Sequence, residues 1–382
     1  MSGVTNIVEA SGCSGISVAT PEGSHGAEPL KPFWLDGRPR IGIHTSTAGE
    51  ASRALETAAR IGCTALQIFS GSPRMWPREH QREVRAPVAK RFREKRETLR
   101  LGPVAVHASY LINLASADPM IRERSVAAFR DEMVRALQLG AEYLIVHPGS
   151  ARDAGIERGI RNVAEGIAGA SQGVPEQYAA GLARGELRVL IENTAGQGTG
   201  LGGEFAHLRG IAERCRELGV LPEPGVCLDT AHLLAAGFEI RTGEGLERML
   251  EEAEEAFGLE NVRVMHMNDS KAPLGSKRDR HEHIGHGHIG KEAFARILAH
   301  PRLRSPERAF LAETPIDRPG DDRRNVEAMW RLLAIEAPVQ KGAGGNRVRL
   351  DMSRPRKKGD ARRKARKRAA HGARRTAAGR KR

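Results

Sequence analysis

The sequence predicts an α/β protein built on a (β/α)8 (TIM) barrel, and three observations carry that expectation. Eight short apolar runs recur through its middle region, segments of helical character separate them, and most of the runs end in a histidine or a carboxylate. Strands buried on both faces read as continuous apolar stretches, and their alternation with helices over about 300 residues suits a closed barrel. A doubly wound open sheet is the structural alternative, but no Gly-rich dinucleotide fingerprint supports it.

Taken in order, residues 1–38 are rich in Gly, Ser, Pro and Glu without sustained periodicity and read as a flexible leader. Residues 39–337 are the expected barrel domain. Strands are expected at Ile41–His44, Ala65–Phe69, Val104–His107 and Tyr143–His147, each with the Val, Ile, Leu or Ala character of a buried strand. The second half repeats the pattern at Arg188–Glu192, Val226–Asp229, Val262–His266 and Phe310–Glu313. Helical character marks Ala48–Arg60, Pro119–Leu139, Gly203–Leu218, Gly243–Phe257 and Arg323–Ile335 between them. Residues 338–382 form a basic tail, too charged to pack and expected to be disordered.

Composition narrows the function classes. With 382 residues and 40% apolar side chains, the chain can bury a sizeable core, which excludes a wholly disordered protein. No stretch approaches the roughly 18 apolar residues of a membrane helix, so no membrane association is expected. The N-terminus has neither the basic nor the apolar region of a secretory signal. Cys13, Cys63, Cys215 and Cys227 are scattered and form no C-x-x-C pair, which argues for a reducing, cytoplasmic setting and against thiolate-held zinc. The formal charge of +14 is unevenly placed. Residues 341–382 hold 18 Lys or Arg and 2 Asp, a net of +16, leaving 43 basic and 45 acidic side chains, a net of −2, on the rest. Such a tail releases counterions on meeting nucleic acid and binds it without regard to sequence.

The functional signal lies at the strand ends. His107, His147, Glu192, Asp229, His266 and Glu313 close successive apolar runs, and the C-terminal ends of barrel strands form the functional face. Asp229-Thr-Ala-His232 adds an imidazole three residues on, and Asp279-Arg-His281 adds a pair in the loop after the seventh strand. Buried charges are costly unless paired or metal-bound, so a ring of six at one barrel end points to metal. Five imidazoles, four carboxylates and no thiolate suit zinc, manganese or iron, and nine ligands suit two or three ions. Three divalent ions against four carboxylates leave about +2, a site for an anion such as a phosphodiester. His44 lies at a strand end without joining this set, and His283, His286 and His288 crowd the loop after Asp279-Arg-His281 as loop-shaping or substrate-facing residues.

The stretches Val-His107-Ala-Ser-Tyr110-Leu-Ile-Asn, Val-His147-Pro-Gly-Ser, Ile-Glu192-Asn-Thr-Ala-Gly, Leu-Asp229-Thr-Ala-His232, His266-Met-Asn-Asp-Ser-Lys and Gly285-His-Gly-His-Ile-Gly290 resemble endonuclease IV, the abasic-site endonuclease family. The resemblance runs in order over roughly residues 39–336. It implies a TIM barrel with three zinc ions and cleavage 5′ to an abasic site in double-stranded DNA, leaving a 3′-hydroxyl and a 5′-deoxyribose phosphate. It also implies trimming of blocked 3′ ends. By resemblance, His107 and His147 hold one ion, and Glu192, the catalytic residue of the set, bridges it to a second. Asp229, His266 and Glu313 complete the second site, and His232, Asp279 and His281 hold the third. Manganese can replace zinc at some positions. Arg74, Tyr110 and Leu111 look like the side chains that enter the DNA stack. The chain departs from the family at His286 and His288, where many members carry Glu and Asn. A monomer without protein partners is expected. Two other classes compete: a metal-dependent sugar isomerase or epimerase on a related barrel, which needs only about four ligands, and a non-enzymatic DNA-binding protein dominated by its tail.

Overall fold

The computed structural model describes residues 32–47 and 50–333, so most of the expected leader and the whole basic tail lie outside the described residues. Among the described residues there are ten strands: β1 (Arg40–Thr45), β2 (Leu66–Phe69), β3 (Val104–His107), β4 (Tyr143–Val146), β5 (Arg188–Glu192), β6 (Gly225–Asp229), β7 (Val262–His266), β8 (Asp269–Ser270), β9 (His281–Glu282) and β10 (Ala309–Ala312). Eight of them close a parallel barrel in the order β1-β10-β7-β6-β5-β4-β3-β2, while β8 and β9 pair antiparallel as a separate ribbon. This is the TIM barrel expected from the sequence.

The helices are α1 (Ala51–Arg60), α2 (Ala86–Leu99), α3 (Pro119–Leu139), α4 (Ile156–Gln172), α5 (Glu176–Ala183), α6 (Phe205–Glu217), α7 (Thr230–Ala236), α8 (Gly243–Phe257), α9 (Lys291–Ala299) and α10 (Asp321–Leu332). No boundary of an expected element moves by more than three residues from the sequence expectation. His147 and Glu313 fall one residue beyond β4 and β10 rather than inside them. Helix α3 starts where Asp118 accepts hydrogen bonds from Met120 N and Ile121 N, and it stops at the left-handed Gly140. Trp34 is buried and donates from Nε1 to Glu142 Oε1 at 2.9 Å, because an aromatic ring of that size covers the barrel floor beside Gly102.

Side chains alternate across each strand, and this alternation builds the two apolar layers. Val104 and Val106 face the helices in one layer, while Ala105, Tyr143, Ile145, Leu190, Cys227, Val264, Ala309 and Leu311 form a second cluster inside the barrel. The interior is tight where β1 crosses it. A Cβ on Gly42 would lie 2.1 Å from the Ala65 carbonyl oxygen. Two residues beyond six of these interior apolar residues, the same parity delivers a side chain to the barrel mouth. Ala105 is followed by His107, Ile145 by His147, Leu190 by Glu192, Cys227 by Asp229, Val264 by His266 and Leu311 by Glu313.

Candidate metal centre

Six of the nine sequence-derived ligands therefore converge because the pleat aims them at one axis. Glu192 lies at the middle of the group, fully buried. Its Oε2 is 3.0 Å from His107 Nε2 and 3.2 Å from His147 Nε2, and its Oε1 is 2.9 Å from His266 Nδ1. Glu313 Oε2 is 3.3 Å and Asp229 Oδ2 is 3.8 Å from the same His266 nitrogen. His232 arrives differently. Asp229 caps α7 by accepting from His232 N at 2.9 Å, and this turn sets the imidazole beside the strand ends. Asp279 and His281 come from the arm that enters β9. Asp279 Oδ2 is 3.3 Å from His232 Nε2, and its Oδ1 is 3.2 Å from His281 Nε2.

Potential ligand atoms gather into overlapping groups. His107, His147 and Glu192 form one, Glu192, Asp229, His266 and Glu313 a second, and Asp229, His232 and His281 a third, each with atoms within 4.8 Å of one another. Asp279 joins the third through the two distances above. His283, His286 and His288 enter none of these groups. His283 instead pairs through Nδ1 with Asn325 at 3.0 Å, and His286 and His288 are exposed.

The residues fit divalent ions on the chemistry of their donors. Four imidazoles are each tied at one nitrogen and aimed at carboxylates with the other. His107 Nδ1–H donates to Ala108 O at 2.9 Å and His232 Nδ1–H to Asn193 O at 2.9 Å. His281 Nδ1–H donates to Glu313 O at 3.3 Å, and His266 Nε2–H donates to Gln67 Oε1 at 2.8 Å. Fixing one ring nitrogen in this way sets the tautomer that presents a lone pair to a metal. His281 Nε2 is buried without a hydrogen-bond partner even though Asp279 Oδ1 is near, which is the geometry of two donors sharing a third party.

Electrostatics agrees. Burial alone would depress an imidazole, but Asp229 and then Asp279 and Glu192 overcome it and raise His232 to about 10. Burial is likewise overcome at His281, raised to about 9 by Asp229 and Asp279. His107 is raised in the same way by Glu192 and then Glu313, while burial fails to keep Glu192, Glu313 and Asp279 from being pulled down by neighbouring imidazoles. A potential negative enough to draw protons onto these rings is one that a cation would occupy instead, releasing the protons.

Several contributors escaped sequence reasoning. Gln67, fully buried, holds His266 and also donates to Glu313, with His44 Nδ1 3.0 Å away. Asn268 donates to Asp229 Oδ2 at 2.5 Å and accepts from Glu313 N at 2.7 Å, while Asn193 accepts from Asp229 N at 2.6 Å. Gln67 was recognisable as the one polar residue in an otherwise apolar run, and the two asparagines follow ligands by one and two positions. Cys227 Sγ approaches Glu192 and His266, but burial pushes its thiol up to about 12, so it remains protonated.

A cavity of about 790 Å³ opens over the cluster, walled by His44, Phe69, Tyr110, Asn113, Leu201 and Ile316 together with His107, His147, His232, Asp279, His281 and Glu313. Tyr110 stands at its rim, 63% exposed, with its ring 5.5 Å from Phe69. The loop carrying Arg74 is tied to it, since Ser109 Oγ and Tyr110 N both donate to Pro73 O, at 2.9 and 3.2 Å. Arg74 is exposed, whereas Leu111 is half-buried and lies off the cavity wall. Among the described residues no helix is long and apolar enough to cross a membrane.

Comparison with known proteins adds to this geometry. The family model described as "Xylose isomerase-like TIM barrel" matches residues 50–332. The chain is 50% identical over 301 residues to a probable endonuclease 4 of Solibacter usitatus (strain Ellin6076), spanning 78% of this chain and 99% of that protein. It is 37% identical over 299 residues to a probable endonuclease 4 of Chloroflexus aurantiacus (strain ATCC 29366 / DSM 635 / J-10-fl), spanning 77% and 98%. The crystal structure of endonuclease IV from Thermus thermophilus superposes with a TM-score of 0.65 at 37% identity, covering 78% of this chain and 99% of that one. A D-tagatose 3-epimerase-like protein reaches a TM-score of 0.55 at 18% identity, covering 77% of this chain and 97% of that one, a likeness of fold alone.

Proposed function

The chain belongs to the endonuclease IV family and is a nuclease, and from that premise we propose that it hydrolyses the phosphodiester bond 5′ to abasic sites in duplex DNA. The products are a 3′-hydroxyl and a 5′-deoxyribose phosphate, and the same cavity serves to trim blocked 3′ ends. The observation that carries this reading is the placement of Glu192. One carboxylate oxygen faces His107 and His147, and the other faces His266, so a single side chain joins two ligand groups.

In this reading three zinc ions are held, the first by His107, His147 and Glu192. Glu192, Asp229, His266 and Glu313 hold the second, and His232, Asp279 and His281 the third, with manganese able to replace zinc at some positions. When bound, such ions provide a nucleophile at neutral pH and positive charge beside the scissile phosphate. The chain's own residues do the rest. Gln67, Asn193 and Asn268 keep the ligands in register, and the cavity gives room for a sugar rotated out of the helix. Flipping costs least where base pairing is already lost. Arg74, Tyr110 and Leu111 then fill the gap left in the stack. The basic tail (338–382) adds salt-dependent affinity for DNA. The protein acts as a monomer on DNA in the cytoplasm, in keeping with the unpaired Cys63, Cys215 and Cys227.

Incision of a labelled abasic duplex, with and without chelator, tests the proposal. Cleavage 5′ to the lesion that chelator abolishes is expected, and Glu192→Gln should lose most of it. Wild-type rates in that variant would contradict the bridging role, and one ion per chain would favour a sugar isomerase.

A further inference from the structure

The glycine pattern Gly285-His-Gly287-His-Ile-Gly290 has no part in the reading above, yet the structure accounts for each glycine through one side chain. Asp269, the first residue of β8, is fully buried and makes no ion pair among the described residues. Its Oδ1 accepts from Ser270 N and Ile289 N, both at 2.8 Å. Its Oδ2 accepts from Gly285 N and Gly287 N, both at 2.9 Å, and from Gly290 N at 3.3 Å. A buried carboxylate without a counter-cation is tolerated only when hydrogen bonds replace its hydration, and here a concave run of amides supplies them. Gly285 and Gly290 take left-handed backbone at φ 78° and 82°. Gly287 has another reason: a Cβ there would lie 2.6 Å from Asp269 Oδ1 and 2.4 Å from Ser270 O.

This loop braces the arm that carries Asp279 and His281. Seven of the nine proposed ligands sit at ends of barrel strands or on the first turn after one, where the barrel itself holds them. Asp279 and His281 belong to the β8–β9 ribbon, whose two-residue strands pair Asp269 with Glu282 and Ser270 with His281. A two-stranded ribbon of that length has no stability of its own. It is closed by Lys271 N donating to Arg280 O at 2.8 Å and by His288 N donating to Ser270 O at 2.8 Å. Asp269 thus links the exit of β7, the ribbon and the loop that returns over it.

We propose that Asp269 is a positioning residue for the third metal site, its carboxylate moulding loop 285–290 so that the ribbon holds Asp279 and His281 against His232. The inference rests on the reading that those three residues bind an ion, and it assigns a purpose to the glycine motif.

The test compares zinc content and affinity of the full-length protein and its variants after dialysis against dilute chelator, with circular dichroism to report folding. Wild type should retain three zinc ions. Asp269→Asn turns an amide NH2 toward N–H donors, and Gly287→Ala pushes a methyl group against the same carboxylate. Each should keep two ions and bind the third about 10–100-fold more weakly, as is usual when support behind a ligand is removed. His286→Ala, altered on the same loop outside the mould, should keep all three. Variants that hold three ions at wild-type affinity, or lose all three alike, overturn the proposal. If Asp269→Asn does not fold, Gly287→Ala decides by the same criterion, and if neither folds the carboxylate serves the whole domain and the proposal falls. Wild type with fewer than three ions would instead refute the ligand reading beneath it.

Discussion

Replacing Gln67 with Leu gives a sharp test of how the barrel interior sets the centre's chemistry. The substitution keeps the side chain's approximate volume and removes its amide. In the metal-free protein it strips the partner from fully buried His266 Nε2, now 2.8 Å away, and removes one donor from partly buried Glu313, which keeps His266 Nδ1 at 3.3 Å and His44 Nδ1 at 3.7 Å. A buried polar group left unpaired costs about 1–3 kcal/mol, so the metal-free protein should lose about 1–3 kcal/mol of stability at His266. With ions present the same His266 loss falls on the metal site. About 1–3 kcal/mol at His266 corresponds to a roughly 5–150-fold weaker ion at the Glu192–Asp229–His266–Glu313 group. Competition against a fluorescent zinc chelator reads the affinity, and chemical denaturation of metal-free protein reads the stability. Unchanged values in both would refute the claim that Gln67 orients His266.

Other consequences are open to direct measurement. Tyr110→Ala should weaken binding of abasic duplex about 5–150-fold, the value of one lost stacking contact, while zinc content stays at the wild-type level; equal binding of abasic duplex by variant and wild type would remove Tyr110 from the DNA contacts. Gly42→Ala should lower the unfolding midpoint sharply, because its Cβ meets a backbone carbonyl at 2.1 Å that cannot swing aside; a midpoint within error of wild type would mean that β1 and β2 separate freely. Deleting residues 341–382 should weaken DNA binding at low salt and flatten its salt dependence, with metal content unchanged; equal affinities at low salt would leave the tail without a DNA-binding role.

The barrel was legible because its strands are buried on both faces, so each appears as an apolar run whatever its neighbours. The proposed ligands stood out because a charged residue closing such a run has no structural excuse. Their convergence follows from strand parity, since His107, Glu192 and His266 each stand two positions past an interior residue. Helices were harder to read. In α2 only Ala89, Phe92 and Arg96 are buried, so its apolar stripe vanishes among exposed charges. The polar residues behind the ligands were harder still. Asn193 and Asn268 act through contacts with residues 36 and 39–45 positions away, which no local pattern encodes. Asp269 could not be seen from its neighbours in sequence, because four of its five partners lie 16–21 residues further on.

The account depends on divalent ions shared among side chains that the fold draws to the barrel mouth. Anomalous scattering at the zinc edge from crystals of the metal-loaded protein tests this most directly. Three peaks are predicted, the first beside Glu192 and His147, the second beside Glu313 and His266, and the third beside His232 and Asp279. A single peak, or none within reach of Glu192, would contradict the account.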